Sequence, residues 1–172
     1  MPSPKTHSYE ARVVWTGDRG EGTANYRAYD RASEATSGAA PAIPGSSDPS
    51  FRGDPARWNP EQLLLTSISQ CHLLWYLHLC AVGGVTVTSY ADHATATMAE
   101  TADGGGHFTE AVLHPAVEVA APEMVDKALA LHAEAHRLCF VANSVNFPVR
   151  HEPTVTVSGP ESGAQAGSVQ QP

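Results

Sequence analysis

Residues 59–84, NPEQLLLTSISQCHLLWYLHLCAVGG, form a nearly uninterrupted apolar run and place the strongest constraint on the fold. Asn59 suits a helix N-cap, and Pro60 suits the first turn, where a missing N–H costs nothing. Glu61 favours the positive end of the helix dipole, and Gly83 and Gly84 provide a stop. The stretch from Leu63 to Val82 is about long enough to span a bilayer. Thr66, Ser67, Ser69, Gln70, His72 and His78 interrupt it, however, and no basic flank orients it. The run reads as a buried core helix with no membrane partner.

The remainder of the 172 residues is organised around that helix. Residues 1–7 read as a flexible arm. SYEARVVWT (8–16) and GTANYRAYD (22–30), separated by the turn-rich GDRGEG, read as a hairpin. Residues 32–58 are dense in Gly, Pro, Ser and Asp and read as a long irregular loop. The alternating segments 85–100 and 107–120 flank the DGGG turn at 103–106 and read as a second pair of strands. Pro115 marks an edge or a bulge. Pro122 opens a second helix that carries Cys139, and 147–157 is a last strand. The tail 158–172 has little apolar surface to bury and reads as disordered. The pattern predicts one α+β domain over residues 8–157, with two long helices packed with antiparallel sheets.

Charge narrows the partners. The net charge is −8 and the pI about 5.5, with no run of Lys or Arg, which argues against nucleic acid. The N-terminal stretch MPSPKTHSYEARVVW lacks a signal-peptide core, so the expected location is cytoplasmic. The three cysteines are then expected as reduced thiols rather than a disulfide framework.

Cys71 and Cys80 are nine residues apart, about 13.5 Å along one helix and on opposite sides, too far to bond. Cys80 reads as a core residue. Cys71 and Cys139 meet if the two helices pack face to face; otherwise they are separate buried thiols. Periodicity alone leaves both arrangements open.

NPEQLLLTSISQCHLLWYLHLC, followed much later by HRLCFVANSV, resembles the OsmC/Ohr family of osmotically inducible and organic hydroperoxide resistance proteins, in its OsmC-like branch. The matching positions are Asn59, Pro60, Glu61, Cys71 and Cys139. Phe140 stands where the family pattern has proline. The resemblance covers roughly residues 8–157 and implies an intertwined homodimer with an OsmC-like fold. It implies a thiol peroxidase acting on organic hydroperoxides, with Cys71 attacking the peroxide and Cys139 resolving the sulfenic acid as a disulfide. An external dithiol then reduces the pair, and no cofactor is required. Glu61 is the motif carboxylate expected to hold an arginine that favours the Cys71 thiolate. Arg52 is the first candidate for that arginine, with Arg19, Arg27 and Arg57 as alternatives. Glu61 lies about 15 Å along the helix from Cys71, so an interface between two chains is the simplest way to join them. Leu64, Ile68, Leu74, Trp75 and Phe140 are expected to line an apolar substrate pocket.

The nine histidines raise the question of a metal. His132, His136 and Cys139 share a helical face, but His132 and Cys139 are about 10.5 Å apart along the axis, and HAEAH lacks the zincin spacing. No metal is expected. Two other functions fit the same residues: a non-enzymatic binding protein for a small apolar ligand, and a thiol redox sensor that oxidises without turnover.

Overall fold

The computed structural model describes residues 5–159. The first four residues of the expected arm, and the expected tail beyond Gly159, lie outside that range. The chain divides into two compact units, one ending at Leu64 and the other beginning at Leu65.

In the first unit, β1 (Arg12–Trp15), β2 (Ser33–Thr36) and β3 (Ile43–Gly45) form an antiparallel meander. Arg12 pairs with Thr36 and Trp15 with Ser33. The expected hairpin partner at 22–30 is therefore corrected: that segment is a series of turns. Its polar side chains satisfy the local backbone instead of a ladder, as when Asp18 Oδ1 accepts the Gly20 and Gly22 N–H groups and Asn25 accepts that of Arg27. The 32–58 segment is corrected too. It holds β2, β3 and a 3-10 turn at Pro49–Phe51. Small residues such as those in SEAT give no clear hydrophobic alternation, so these strands escape periodicity.

Helix α1 runs from Pro60 to Gly83. Asn59 Oδ1 accepts the Gln62 N–H at 2.8 Å, and Gln62 Oε1 accepts the Asn59 N–H at 3.2 Å, a reciprocal capping box. At the other end Gly84 adopts φ +74°, Val85 N–H bonds to Cys80 O, and Gly84 N–H bonds to Ala81 O. This is a Schellman termination, which favours glycine because the left-handed backbone has no room for a side chain at low cost.

In the second unit, each of the three expected strands is present but broken in two. They are β4 (Val87–Asp92) and β5 (Thr95–Glu100), β6 (Gly106–Leu113) and β7 (Pro115–Val119), and β8 (Val149–His151) and β9 (Thr154–Val157). The halves sort into two sheets, β4-β7-β9 and β5-β6-β8. The sheets are mixed rather than purely antiparallel, because β6 pairs with β8 and β7 with β9 in parallel. Helix α2 (Val125–Leu138) supplies the crossover that parallel pairing requires. Asp92 stands at the break, where its carboxylate accepts the His114 N–H at 2.7 Å and the Ser69 hydroxyl of α1. Pro115 opens the central strand β7 rather than marking an edge, and a first residue needs no ladder donor.

The core of this unit joins Tyr76 and Cys80 of α1 to Val85, Val117, Val119, Ala128 and Ala135. Ile68, His72, Tyr76 and Cys80 recur every four residues and form the buried stripe of α1. On the opposite side Leu74, Leu77 and Val82 are 61%, 37% and 70% exposed.

Candidate active site

The two thiols singled out in the sequence come together in the second unit. Cys71 lies nearly two turns into that unit's part of α1, and Cys139 is the C-cap of α2, with φ −65° and ψ 109° turning the chain out of the helix. The second helix was expected to continue past Cys139; it stops at Leu138, so Cys139 sits on a turn. Cys71 is close enough to Cys139 for the two thiols to interact, and both are free. Cys71 is partly exposed, whereas Cys139 is completely buried. Burial pushes the Cys139 pKa up to about 11, opposed by the Ala142 and Val141 N–H groups that face its sulfur and reinforced by the neighbouring Cys71. Cys80 is buried beside Tyr76, and burial raises its pKa as well.

Trp75 meets Phe140 edge-to-face, with ring centroids 5.5 Å apart, and His78 packs on the other edge of Trp75 at 5.9 Å. Phe140 is 69% exposed. An aromatic group thus stands on the residues flanking both cysteines. Ile68, by contrast, is fully buried and belongs to the core, and Leu64 ends the first unit.

The charged candidates lie in the first unit. Glu61 Oε2 is buried with no hydrogen-bond partner, and among the described residues no ion pair joins Glu61 to an arginine. Arg52 is exposed and is, among the described residues, the non-glycine residue of positive φ, at +67°. The turn that presents it is held by Asp48, which accepts from Ser50 N–H and, through its carbonyl, from Phe51 and Gly53 N–H. Gly53 is required there, since a Cβ would fall 1.6 Å from Ser47 O. Arg52 lies 5.9 Å from the Tyr26 ring centroid. Arg19 is engaged by the Arg27 and Ala28 carbonyls and by Asp30, and Arg57 pairs with Asp54 at 3.5 Å. The Arg27 side chain is on the surface.

A histidine group was not foreseen. His72 Nε2 and His132 Nδ1 are 3.0 Å apart, and His151 packs on His72 and His136 at 5.6 and 5.2 Å between ring centroids. Tyr76 stacks on His132 at 3.9 Å. Burial, with the neighbouring histidines adding to it, lowers His72 to about 4 and His132 to about 3. The i, i+4 spacing of His72 with Tyr76 and of His132 with His136 was the available signal. Among the described residues no three His, Cys, Asp or Glu side chains converge on a point that could hold a metal ion.

Comparison with known proteins follows the same lines. A family profile described as OsmC-like protein matches residues 53–154. An OsmC-like protein of unknown function from Vibrio cholerae superposes with a TM-score of 0.78 at 27% identity, over 87% of this chain and 100% of the other. An organic hydroperoxide resistance protein from Elizabethkingia anophelis gives 0.64 at 15% identity, over 91% and 100%. Another from Legionella pneumophila gives 0.62 at 18%, over 90% and 100%. No match was found among curated protein sequences.

Proposed function

The chain belongs to the OsmC-like protein family, and from that premise and its paired thiols we propose that it reduces organic hydroperoxides by cysteine chemistry. One observation carries the reading. Cys71 and Cys139, far apart in sequence, are neighbours in the fold, one partly open and the other sealed.

The Cys71 thiolate attacks the outer oxygen of ROOH. The O–O bond breaks, the alkoxide takes a proton to leave as ROH, and Cys71 becomes a sulfenic acid. The Cys139 thiol then attacks that sulfur, the S–S bond forms, and hydroxide departs with the thiol proton as water. An external dithiol restores both thiols. Trp75 and Phe140 offer an apolar approach suited to a bulky R group. Across the interface of a dimer, Glu61 of one protomer would orient an arginine, Arg52 first and Arg19 or Arg27 as alternatives, toward the Cys71 thiolate of the other.

The active form we propose is a homodimer. Leu74, Leu77 and Val82 make an apolar face on α1, with Cys71 at its margin: at about 100° per residue these four side chains fall within roughly 140° of arc. By length and composition α1 would also suffice to cross a membrane. A second copy covers the face without placing the exposed Gln70 and His78 of the same arc in lipid.

Purified protein is expected to consume peroxide with a dithiol, Cys71→Ser to lose that turnover, and Cys139→Ser to accumulate a sulfenic acid trappable by dimedone. Wild-type turnover in both variants rules the reading out. Sedimentation is expected to give a dimer that Val82→Glu weakens; a monomer that partitions into lipid vesicles contradicts the dimer.

A further inference from the structure

Resting on the peroxidase reading, we propose that the turn 139–144, tied by Asn143, holds Cys139 as the departing thiolate when an external dithiol attacks Cys71 in the Cys71–Cys139 disulfide. Asn143 is then a positioning residue for the reductive step.

The turn is bonded to itself at every position that bears on the sulfur. Ala142 N–H donates to Cys139 Sγ at 3.5 Å, and Val141 N–H faces the same atom. The Ala142 N–H on the sulfur, with a smaller contribution from Val141 N–H, favours its anionic form. Asn143 fixes them in place from both sides. Its N–H donates to Cys139 O at 3.0 Å, and its side-chain Nδ2 donates to Arg137 O at 2.9 Å. Arg137 O lies in the last turn of α2, whose final carbonyls have no helical partner. Ser144 closes the turn, its hydroxyl donating to Phe140 O at 2.7 Å and its N–H to Val141 O at 3.0 Å. Burial opposes charge on Cys139, and these donors offset part of that cost. They act when Cys139 must carry charge.

Access sets the direction of attack. Cys139 is completely buried and Cys71 is not, so an incoming thiolate reaches the Cys71 sulfur. The new bond joins the reductant sulfur to Cys71, the S–S bond breaks, and its electron pair leaves on Cys139 Sγ. The second thiolate of the reductant then attacks the reductant sulfur in the mixed disulfide and expels the Cys71 thiolate. The dithiol is oxidised and the protein is reduced by two electrons. Exchange is faster when the departing thiolate is better stabilised, and the turn's N–H groups offset part of the burial that would otherwise make Cys139 a poor leaving group.

The test starts from full-length protein oxidised with diamide, so that it does not depend on peroxide turnover. A limiting small monothiol is added, free thiols are alkylated in an acid quench, and peptides are mapped by mass spectrometry. The expected products are a monothiol adduct on Cys71 and an alkylated Cys139. An adduct on Cys139, or failure of diamide to join the two cysteines, overturns the proposal. Asn143→Ala is expected to lower the ratio of dithiol reduction rate to peroxide oxidation rate about tenfold. In a Cys71→Ser background it is expected to move upward the pH profile of Cys139 ionisation, read from the carbon-13 shift of its labelled Cβ so that no reagent has to enter the core. An unchanged ratio and profile overturn the role of Asn143. Diamide-formed disulfide with the expected adduct, but no peroxide consumption, counts against the peroxidase reading alone.

Discussion

His72 Nε2 and His132 Nδ1 lie 3.0 Å apart in the core, linking α1 to α2. A bond of that length between two imidazoles needs one N–H and one lone pair, so the accepting ring is neutral, and burial keeps the proton off the other as well. The outer nitrogens, His72 Nδ1 and His132 Nε2, are buried without partners. Whichever tautomers are present, one of these is an N–H with no acceptor. Burial, with the neighbouring histidines adding to it, disfavours a proton on either ring.

Stability therefore falls with acidity in a definite window. His72 and His132 take up protons in the unfolded chain below their ordinary value of 6.5, but in the folded protein only near 4 and 3. Folded pKa values below unfolded ones mean that the neutral-pH stability is lost as pH falls from about 6.5 toward 4. Carboxylates held low by hydrogen bonds, such as Asp18, Asp48 and Asp103, add to the loss only in the ordinary carboxylate range. Urea melts at pH 7.5, 6.5, 5.5 and 4.8 are expected to show falling midpoints, and equal midpoints would refute the assignment.

Replacing one histidine differs from replacing both. His132→Leu leaves His72 Nε2 without its partner and is expected to cost about 1–3 kcal/mol. The double change His72→Leu with His132→Leu removes both polar groups and is expected to cost less than the sum of the singles. It is also expected to flatten the pH dependence. Additive losses in a double-mutant cycle would show that the two rings are not coupled.

The capping box gives a local prediction. Asn59→Ala removes the acceptor for Gln62 N–H and is expected to lower stability by roughly 1 kcal/mol. Asn59→Asp, which keeps an acceptor, is expected to recover most of the loss in thermal melts. Equal melting of the alanine and aspartate variants would show that the cap bond is idle.

Arg52 sits at φ +67°, a conformation that a side chain disfavours by about 1–2 kcal/mol. Arg52→Gly is expected to hold or raise stability, offset in part by the freer unfolded chain, while lowering peroxide turnover. Arg52→Lys keeps charge but not the planar fork and is expected to fall between. Full turnover in Arg52→Gly shifts the role to Arg19 or Arg27.

The elements legible in sequence were those with strong local causes. Asn59, Pro60, Gly83 and Gly84 bracket α1 because caps and stops depend on a few neighbouring residues. The apolar alternation of 85–100, 107–120 and 147–157 located the β runs. Their breaks did not show, because they are held by distant groups such as the Asp92 carboxylate on the His114 N–H. Strands β2 and β3 were missed because SEAT is mostly small and polar, and the three residues of IPG, with a proline and a glycine, are too few to show a period.

By itself the sequence determined two helices, three alternating β runs and the presence of a thiol on each helical segment, since propensity, capping and hydrophobic period are local properties. Only the tertiary structure decided that the Cys71 and Cys139 thiols meet, that Cys139 caps its helix beneath a bonded turn, and that four histidines gather in one cluster. Those relations depend on how α1, α2 and β8 pack, and contacts between distant segments leave no period in the chain.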